Sequence, residues 1–278
     1  MNCLLVSDAE SQKAAASLYV NRGSLRDPKE INGLAHFCEH MLFLGTKKFP
    51  EENHYSKFIS SHGGSKNAAT GEDYTYYYFD IKNDHFDEAL DIFSQFFKEP
   101  LFTESATERE MNAVDSEFTK NRSREARRLI QIEKSIITKP GCVLNRFSTG
   151  NLATLNVPNI REHLLKFYAE NYSSNVMSLS LVGNHSLDAL ESFATNHFSS
   201  IEDKNLDPID YSNEEIFTHE NDLGHFVYIV PQKNNRNLKI VWPGLKEHKS
   251  HWRSKPFVYL SGVIGHEGKN SLLSELIK

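Results

Sequence analysis

The most constraining feature of the sequence is a short apolar segment with two histidines and a glutamate at its centre. Apolar residues recur at helical spacing over residues 31–44, and Gly45 stands where such a helix would end. His36 and His40 are four residues apart, so both lie on one face of this predicted helix. Buried imidazoles need polar partners, and a metal ion supplies one. The segment therefore predicts a helix that grips one Zn²⁺ between two imidazoles.

Glu39 completes the motif, which reads HFCEH and has the order HxxEH. This glutamate is adjacent to His40, and it could reach a water molecule at the metal without binding the metal itself. That position suits a general base. The alternative to a metal site is a solvated helix face on which the two histidines have no shared function. The apolar surroundings of the motif favour the metal site over that alternative.

A third protein ligand must come from another part of the chain, because a catalytic zinc usually has three protein ligands and one open position. A charged helical stretch is predicted over residues 107–134, and it offers Glu108, Glu110, Asp115 and Glu117. Glu110 and Glu117 are seven residues apart, which is two turns along one face. Spacing alone leaves the choice among these four residues open.

The rest of the sequence predicts an α+β fold in which helices cover a sheet. Strand composition is strongest in the aromatic run at residues 74–81, and a second clear strand spans residues 175–183. Helical spacing returns between these strands and after them. Further strands are predicted at residues 3–6 and 14–20, and further helices from residue 50 and over residues 86–97, 161–168 and 186–198.

A composition change after Ser200 divides the chain of 278 residues. Residues 201–222 carry eight acids and one lysine, which predicts a solvated linker or an exposed loop. Beyond it, residues 225–231 and 238–244 predict a hairpin, and a final helical stretch over residues 271–277 has no capping glycine. We therefore expect a first domain over residues 1–208, with a shortened opening strand, and an incomplete second domain over residues 209–278.

Charge and composition argue against several other classes of protein. The net charge of −6 argues against general binding to the phosphate backbone of nucleic acid, which requires a basic surface. We interpret the basic cluster over residues 120–128 as a solvated helix face. The sequence contains no run of 18 apolar residues, so it predicts no membrane-spanning helix. The first residues lack the pattern of a secretory signal, and the three distant cysteines make no disulfide framework. These features lead us to expect a protein of the cytosol. Cys38, inside the motif, is a candidate for modification by thiol reagents.

With these motifs in view, the sequence resembles the M16 family of metallopeptidases, the inverzincins, and most of all their insulysin-like branch. The resemblance covers almost the whole chain. The matching segments are GLAHFCEHMLFLGTKKFPEEN, HGGSKNAATGEDYTYYYFD, REMNAVDSEFTKN, YSSNVMSLSLVG and IGHEGKNSLLSELIK.

The resemblance implies a zinc metalloendopeptidase with one Zn²⁺ per chain. His36, His40 and Glu117 would be the zinc ligands, and Glu39 would be the general base that takes a proton from the attacking water. Glu110 matches the acidic residue that would orient a ligand imidazole.

The resemblance also implies where a peptide substrate would bind. Asn67 and Ala68 match an edge strand that pairs with substrate backbone, a mode of binding that makes little demand on sequence. The family often has an aromatic residue at the next position, where this chain has Ala69, so the neighbouring subsite differs in shape. Gly265, His266, Glu267 and Gly268 resemble the strand and loop that hold the substrate's N-terminus, and their plain alternative is a turn before the last helix.

Family members of this branch have four related domains in two halves, and this sequence matches the first domain and part of the second. The missing C-terminal half, or self-association, is therefore the partner that the resemblance implies besides peptide substrates. Two other interpretations remain open. One is a catalytically impaired or non-catalytic peptide-binding subunit. The other is a mitochondrial processing peptidase subunit, although no Arg-rich, acid-poor segment precedes the motif.

Overall fold

A computed structural model describes residues 1–138, 142–211, 224–242 and 251–278. The chain separates into two compact units, residues 1–229 and residues 230–278. Within the described residues, no helix is both long enough and apolar enough to cross a lipid bilayer.

The first unit is built on a five-stranded mixed sheet with the strand order β1-β5-β2-β4-β3. Strands β2, β3, β4 and β5 pair antiparallel, and β1 pairs parallel with β5. The strands are β1 (Asn2–Ser7), β2 (Lys13–Val20), β3 (Ser65–Thr70), β4 (Thr75–Lys82) and β5 (Met177–Gly183). β3 and β1 therefore form the two edges of the sheet.

Helices occupy most of the chain between the strands. In the first unit they are α1 (Leu34–Leu42), α2 (His54–Ser61), α3 (Phe86–Ser94), α4 (Glu104–Arg122), α5 (Glu125–Ile137), α6 (Leu152–Leu155), α7 (Ile160–Asn171) and α8 (Leu187–Phe198). The second unit contains α9 (Pro256–Ile264) and α10 (Leu272–Leu276).

The core lies between one face of the sheet and the helices. Along β4, Tyr77, Phe79 and Ile81 are fully buried, whereas the alternate residues of this strand are partly or fully exposed. This alternation follows from the two-residue period of a strand, which places successive side chains on opposite faces. Phe93 of α3 packs edge-on against Phe79 at a ring-centroid distance of 5.2 Å. The prediction of an α+β fold with a mixed sheet covered by helices is confirmed.

The predicted helix over residues 107–134 is in fact two helices. α4 ends at Arg122, Ser123 caps it, and the extended backbone of Arg124 separates it from α5. Both segments have helical composition, so the sequence pattern continues through the break. The break falls after residue 122, so only α4 carries the four candidate acids.

The predicted hairpin near the end of the chain is wrong for the residues that the structure describes. Residues 225–231 and 238–242 form no strand there, and Tyr228 and Trp242 are largely exposed. A strand needs a partner for its backbone groups, and apolar composition alone supplies none. Residues 243–244 of the predicted hairpin and residues 212–222 of the acidic segment lie outside the described residues.

Candidate metal centre

The first turn of α1 is fixed by a buried aspartate. The two carboxylate oxygens of Asp27 accept hydrogen bonds from the backbone N–H groups of Gly33 and Ala35, each at 2.7 Å. Asp27 itself is 6% exposed, and burial raises its pKa to about 7. Backbone N–H groups at a helix N-terminus otherwise lack partners. Asp27 therefore sets where α1 begins, although it precedes the helix by seven residues.

A close contact between two glycines packs the segment before α6 against this helix start. Gly33 has a φ of 90° and Gly150 a φ of 76°, both in the left-handed region that favours glycine. A Cβ atom added to Gly33 would lie 2.2 Å from the Cα atom of Gly150. No side chain fits between them, so the backbone around Thr149 lies directly beside α1.

His36 and His40 project from the same face of α1, as the spacing predicted. Their ring centroids are 4.6 Å apart, and their planes meet at 71°. Glu117 of α4 faces both rings: its Oε2 atom is 3.7 Å from Nε2 of His36 and 3.4 Å from Nε2 of His40. One ligand atom from each of the three side chains lies within 4.8 Å of the others. Two imidazole nitrogens and a carboxylate oxygen converging in this way match the donor set of a catalytic zinc.

The other nitrogen of each imidazole is held by an oxygen. Nδ1 of His36 is 2.8 Å from the backbone carbonyl oxygen of Thr149, and Nδ1 of His40 is 2.7 Å from Oε1 of Glu110. If Nδ1 donates its hydrogen in both contacts, Nε2 of each ring keeps the lone pair that a metal requires whenever that ring is neutral. Thr149 and Glu110 thus select the tautomer of the rings that face Glu117.

The charges of these groups are strongly coupled. Burial lowers the pKa of His36 to about 4. Burial also opposes the charged form of His40, but hydrogen bonds to Glu110 and Glu117 outweigh it and raise the pKa of His40 to about 9. The hydrogen bond from His40 lowers the pKa of Glu117 to about 2. At neutral pH the carboxylate of Glu117 is therefore ionised and faces a protonated His40, so a metal that binds Nε2 of His40 must displace a proton.

Glu39 lies beside the cluster in an apolar environment. It is 6% exposed, and burial raises its pKa to about 7. The hydroxyl of Thr70, at the end of β3, donates a hydrogen bond to Oε2 of Glu39 at 2.5 Å. A carboxyl group whose pKa lies near 7 can both accept and return a proton at neutral pH.

The four acids that spacing could not separate now occupy different places. Glu110 and Glu117 face the histidines. Asp115 instead accepts a hydrogen bond from the backbone N–H of Leu152 at 2.9 Å, and so ties α4 to α6. Glu108 is exposed. The structure thus gathers His36, His40, Glu39, Glu110 and Glu117 into one site.

The predicted peptide-binding residues lie in two different parts of the chain. Asn67 and Ala68 are in β3, at the edge of the sheet, and pair with Tyr78 and Tyr77 of β4. Gly265 ends α9, and residues 266–268 lie in the connection to α10, with no strand there. These last residues belong to the second unit.

Cys38 does not match the expectation of a thiol open to reagents. It is fully buried within the core, and burial raises the pKa of its thiol well above the ordinary value. A thiolate is the reactive form, so this environment suppresses its reactivity. On a helix, the residue between two ligands on one face points toward the opposite face, which here is the core.

Sequence reasoning did not find three residues that shape the site. Asp27, Thr70 and the carbonyl of Thr149 are held against α1 by the tertiary fold, and no motif spacing marks them. An aspartate shortly before a predicted helix is a known capping signal, but its six-residue distance from Gly33 hid it. Thr70 and Thr149 gave no local signal.

Comparison with known proteins agrees with this geometry. Residues 2–140 match the family model of Insulinase (Peptidase family M16), and residues 159–278 match the Peptidase M16 inactive domain. The chain therefore belongs to peptidase family M16.

Its relatives within this family are long proteins. The chain is 48% identical over 279 residues to insulin-degrading enzyme of Bos taurus, a match that covers 98% of this chain and 27% of that protein. It is 42% identical to the A-factor-processing enzyme of Saccharomyces cerevisiae, covering 100% and 27% of the two chains. It is 41% identical to insulin-degrading enzyme-like 1, peroxisomal, of Arabidopsis thaliana, covering 99% and 29%. The chain thus spans just over a quarter of the length of these relatives.

A solved structure shows the same fold. The crystal structure of pitrilysin superposes with a TM-score of 0.74 and 34% sequence identity, over 78% of this chain and 23% of the pitrilysin chain.

Proposed function

We propose that this chain carries the zinc centre of an M16 metalloendopeptidase and hydrolyses peptide bonds in small peptides. The observation that carries the proposal is the convergence of His36, His40 and Glu117 beside the buried carboxylate of Glu39. His36, His40 and Glu117 would hold one Zn²⁺ per chain. When bound there, zinc supplies a Lewis acid that polarises a peptide carbonyl and makes a nearby water more acidic.

The chain's own residues supply the proton transfers and the positioning. Glu39 accepts the proton of the attacking water and returns it to the leaving amine, a role that its pKa of about 7 supports. Glu110 holds His40 in the tautomer that leaves Nε2 free, and the Thr149 carbonyl does the same for His36. Glu39 is 6% exposed, so few other water molecules can reach it.

Substrate backbone would add to the outer edge of β3, which pairs with no other strand among the described residues. Asn67 and Ala68 lie in this edge strand, and Thr70 at its end contacts Glu39. A peptide laid along β3 would therefore run toward the catalytic carboxylate, with main-chain hydrogen bonds providing most of its affinity. Gly265, His266, Glu267 and Gly268 are proposed as a second contact for the peptide, on the strength of the family resemblance.

Domain organisation and partners are proposed from the same relationship. We assign residues 1–208 to the catalytic domain and residues 209–278 to the start of a second, related domain. The inactive-domain model matches residues 159–278, so it covers the proposed second domain but begins inside the first. The remaining length of the relatives suggests a C-terminal half, or a second copy of this chain, as a partner. Three cysteines without disulfides support a location in the cytosol.

The test combines metal analysis with a cleavage assay on the purified chain. We expect about one zinc per chain by elemental analysis, and cleavage of a quenched fluorescent peptide that Glu39→Gln abolishes while the zinc content stays unchanged. Zinc without cleavage would favour the non-catalytic peptide-binding interpretation for the chain by itself. No bound zinc, under conditions in which the chain is folded, would overturn the proposal.

A further inference from the structure

We propose that Thr70 is a positioning residue that links the edge strand β3 to the catalytic carboxylate of Glu39. The inference rests on the proposed function and deepens it. It names the contact through which a peptide bound along β3 would restrict the orientation of the Glu39 carboxylate.

The contact is short and directional. The Thr70 hydroxyl donates to Oε2 of Glu39 at 2.5 Å, and within the described part of the chain no other side chain donates to this carboxylate. The terminal torsion of a glutamate side chain is broad, so an unrestrained carboxylate samples many orientations. A hydrogen bond to Oε2 fixes the carboxylate plane and leaves Oε1 for the proton that the reaction moves.

The end of β3 is held firmly enough to act as a support. Thr70 lies opposite Thr75 in the β3–β4 ladder, and the following turn is closed by the N–H of Gly71 donating to the Tyr74 carbonyl at 2.8 Å. The Gly71 carbonyl accepts from the N–H of Ser24 at 3.0 Å. Lys134 of α5 pairs with Glu72 in the same turn at 2.5 Å. The position of the Thr70 hydroxyl is thus set by the hairpin and by its neighbours.

The same strand would receive the peptide. Asn67 and Ala68 precede Thr70 by three and two residues in a strand whose outer edge is free in the described structure. A peptide paired with this edge would restrict the motion of β3, and Thr70 would pass that restriction to Glu39. A merely structural threonine would fill space against α1, and an isosteric valine would replace it at little cost.

The experiment uses the full chain loaded with zinc and an N-acetylated dipeptide hydroxamate as the probe. A hydroxamate binds the metal and donates a hydrogen bond to the base carboxylate, so its affinity reports the placement of Glu39 without requiring turnover. We expect Thr70→Val to weaken hydroxamate binding about tenfold. Thr70→Ser should restore the affinity to within about twofold, because it keeps the hydroxyl.

Two controls separate positioning from folding. Zinc affinity, measured by competition with a chromophoric chelator, should stay within about twofold in both variants. In a double-mutant cycle with Glu39→Ala, Thr70→Val should have no further effect, because its influence passes through the carboxylate.

The outcomes of the inference and of the proposed function are distinguishable. Wild-type affinity in Thr70→Val, an equal loss in the Glu39→Ala background, or no recovery in Thr70→Ser would each overturn the role of Thr70. If the wild-type chain bound no zinc, or if it bound the hydroxamate no better than Glu39→Ala does, the proposed function would fail and this inference with it.

Discussion

At the scale of single residues, sequence and structure contribute different parts of the site. The HFCEH spacing predicted that His36 and His40 share a helix face, and their rings are indeed 4.6 Å apart. Spacing could not choose among the acids of α4, because each points in a direction that only the packing of α4 against α1 determines. Asp115 shows this well: it lies two residues from Glu117 yet binds the backbone of Leu152.

The first prediction concerns the contact between Glu110 and His40. Glu110→Gln replaces a charged acceptor by a neutral one, so His40 loses part of its orientation and basicity. We expect zinc affinity to fall about 10–100-fold, with the folded state retained. Competition with a chromophoric chelator measures the change. Glu108→Gln, an exposed glutamate on the same helix, is the matched control and should leave zinc affinity unaltered. Equal affinities of the two variants would contradict a role for Glu110.

At the scale of secondary structure, the elements were easier to predict than their ends. Helical spacing identified the segment of α1, but the pattern extended over residues 31–44 and the helix covers Leu34–Leu42. The start is set by Asp27, a partner outside the pattern. The division between α4 and α5 was likewise missed, because both segments favour helix and the extended Arg124 carries no proline or glycine signal.

The helix start supplies the second prediction. Asp27→Ala removes the acceptor for two buried N–H groups, which should lower the free energy of unfolding by about 2 kcal/mol. Because α1 carries two of the proposed metal ligands, zinc affinity should fall as well. Urea unfolding and chelator competition measure the two effects.

A second helix offers a matched control for this prediction. Ser186 caps α8 by accepting from the N–H of Ala189 at 3.2 Å, away from the ligand-bearing helices. Ser186→Ala should cost about 1 kcal/mol and leave zinc affinity unchanged. If Asp27→Ala destabilised the chain and left zinc affinity untouched, the link between the helix start and the metal site would be refuted.

At the scale of the whole molecule, the fold class could be predicted from the sequence. The structure of the segments after residue 224 could not. Alternating burial along β4 and the apolar stripes of the helices made a helix-covered sheet the natural outcome. The segments at residues 225–231 and 238–242 have the composition of strands, but composition cannot show whether a pairing partner exists. Whether such a segment becomes a strand depends on pairing with a segment elsewhere in the chain, which its own sequence does not specify.

The third prediction concerns the stability of the first unit. The proposed zinc ligands come from α1 and α4, so metal binding would join two helices that lie far apart in sequence. At free zinc 100 times the dissociation constant, binding adds about 2.7 kcal/mol of stability. For a chain of this size, that corresponds to a rise in Tm of about 5–10 °C. Differential scanning fluorimetry with and without a chelator measures it. His36→Ala, which loses one ligand, should show no such rise, and an equal rise in this variant would place the stabilising metal elsewhere.

The outer edge of β3, unpaired in the described part of the chain, limits which molecules could reach the proposed catalytic carboxylate. Edge strands present unpaired N–H and C=O groups, and only an extended partner can match them. A helix, a tight domain or a segment rich in proline offers no such row of groups. The choice of substrate at this edge would therefore depend on how readily a polypeptide adopts an extended conformation over a few residues. Under the proposed function, conformational looseness, more than side-chain identity, would decide which chains are cut.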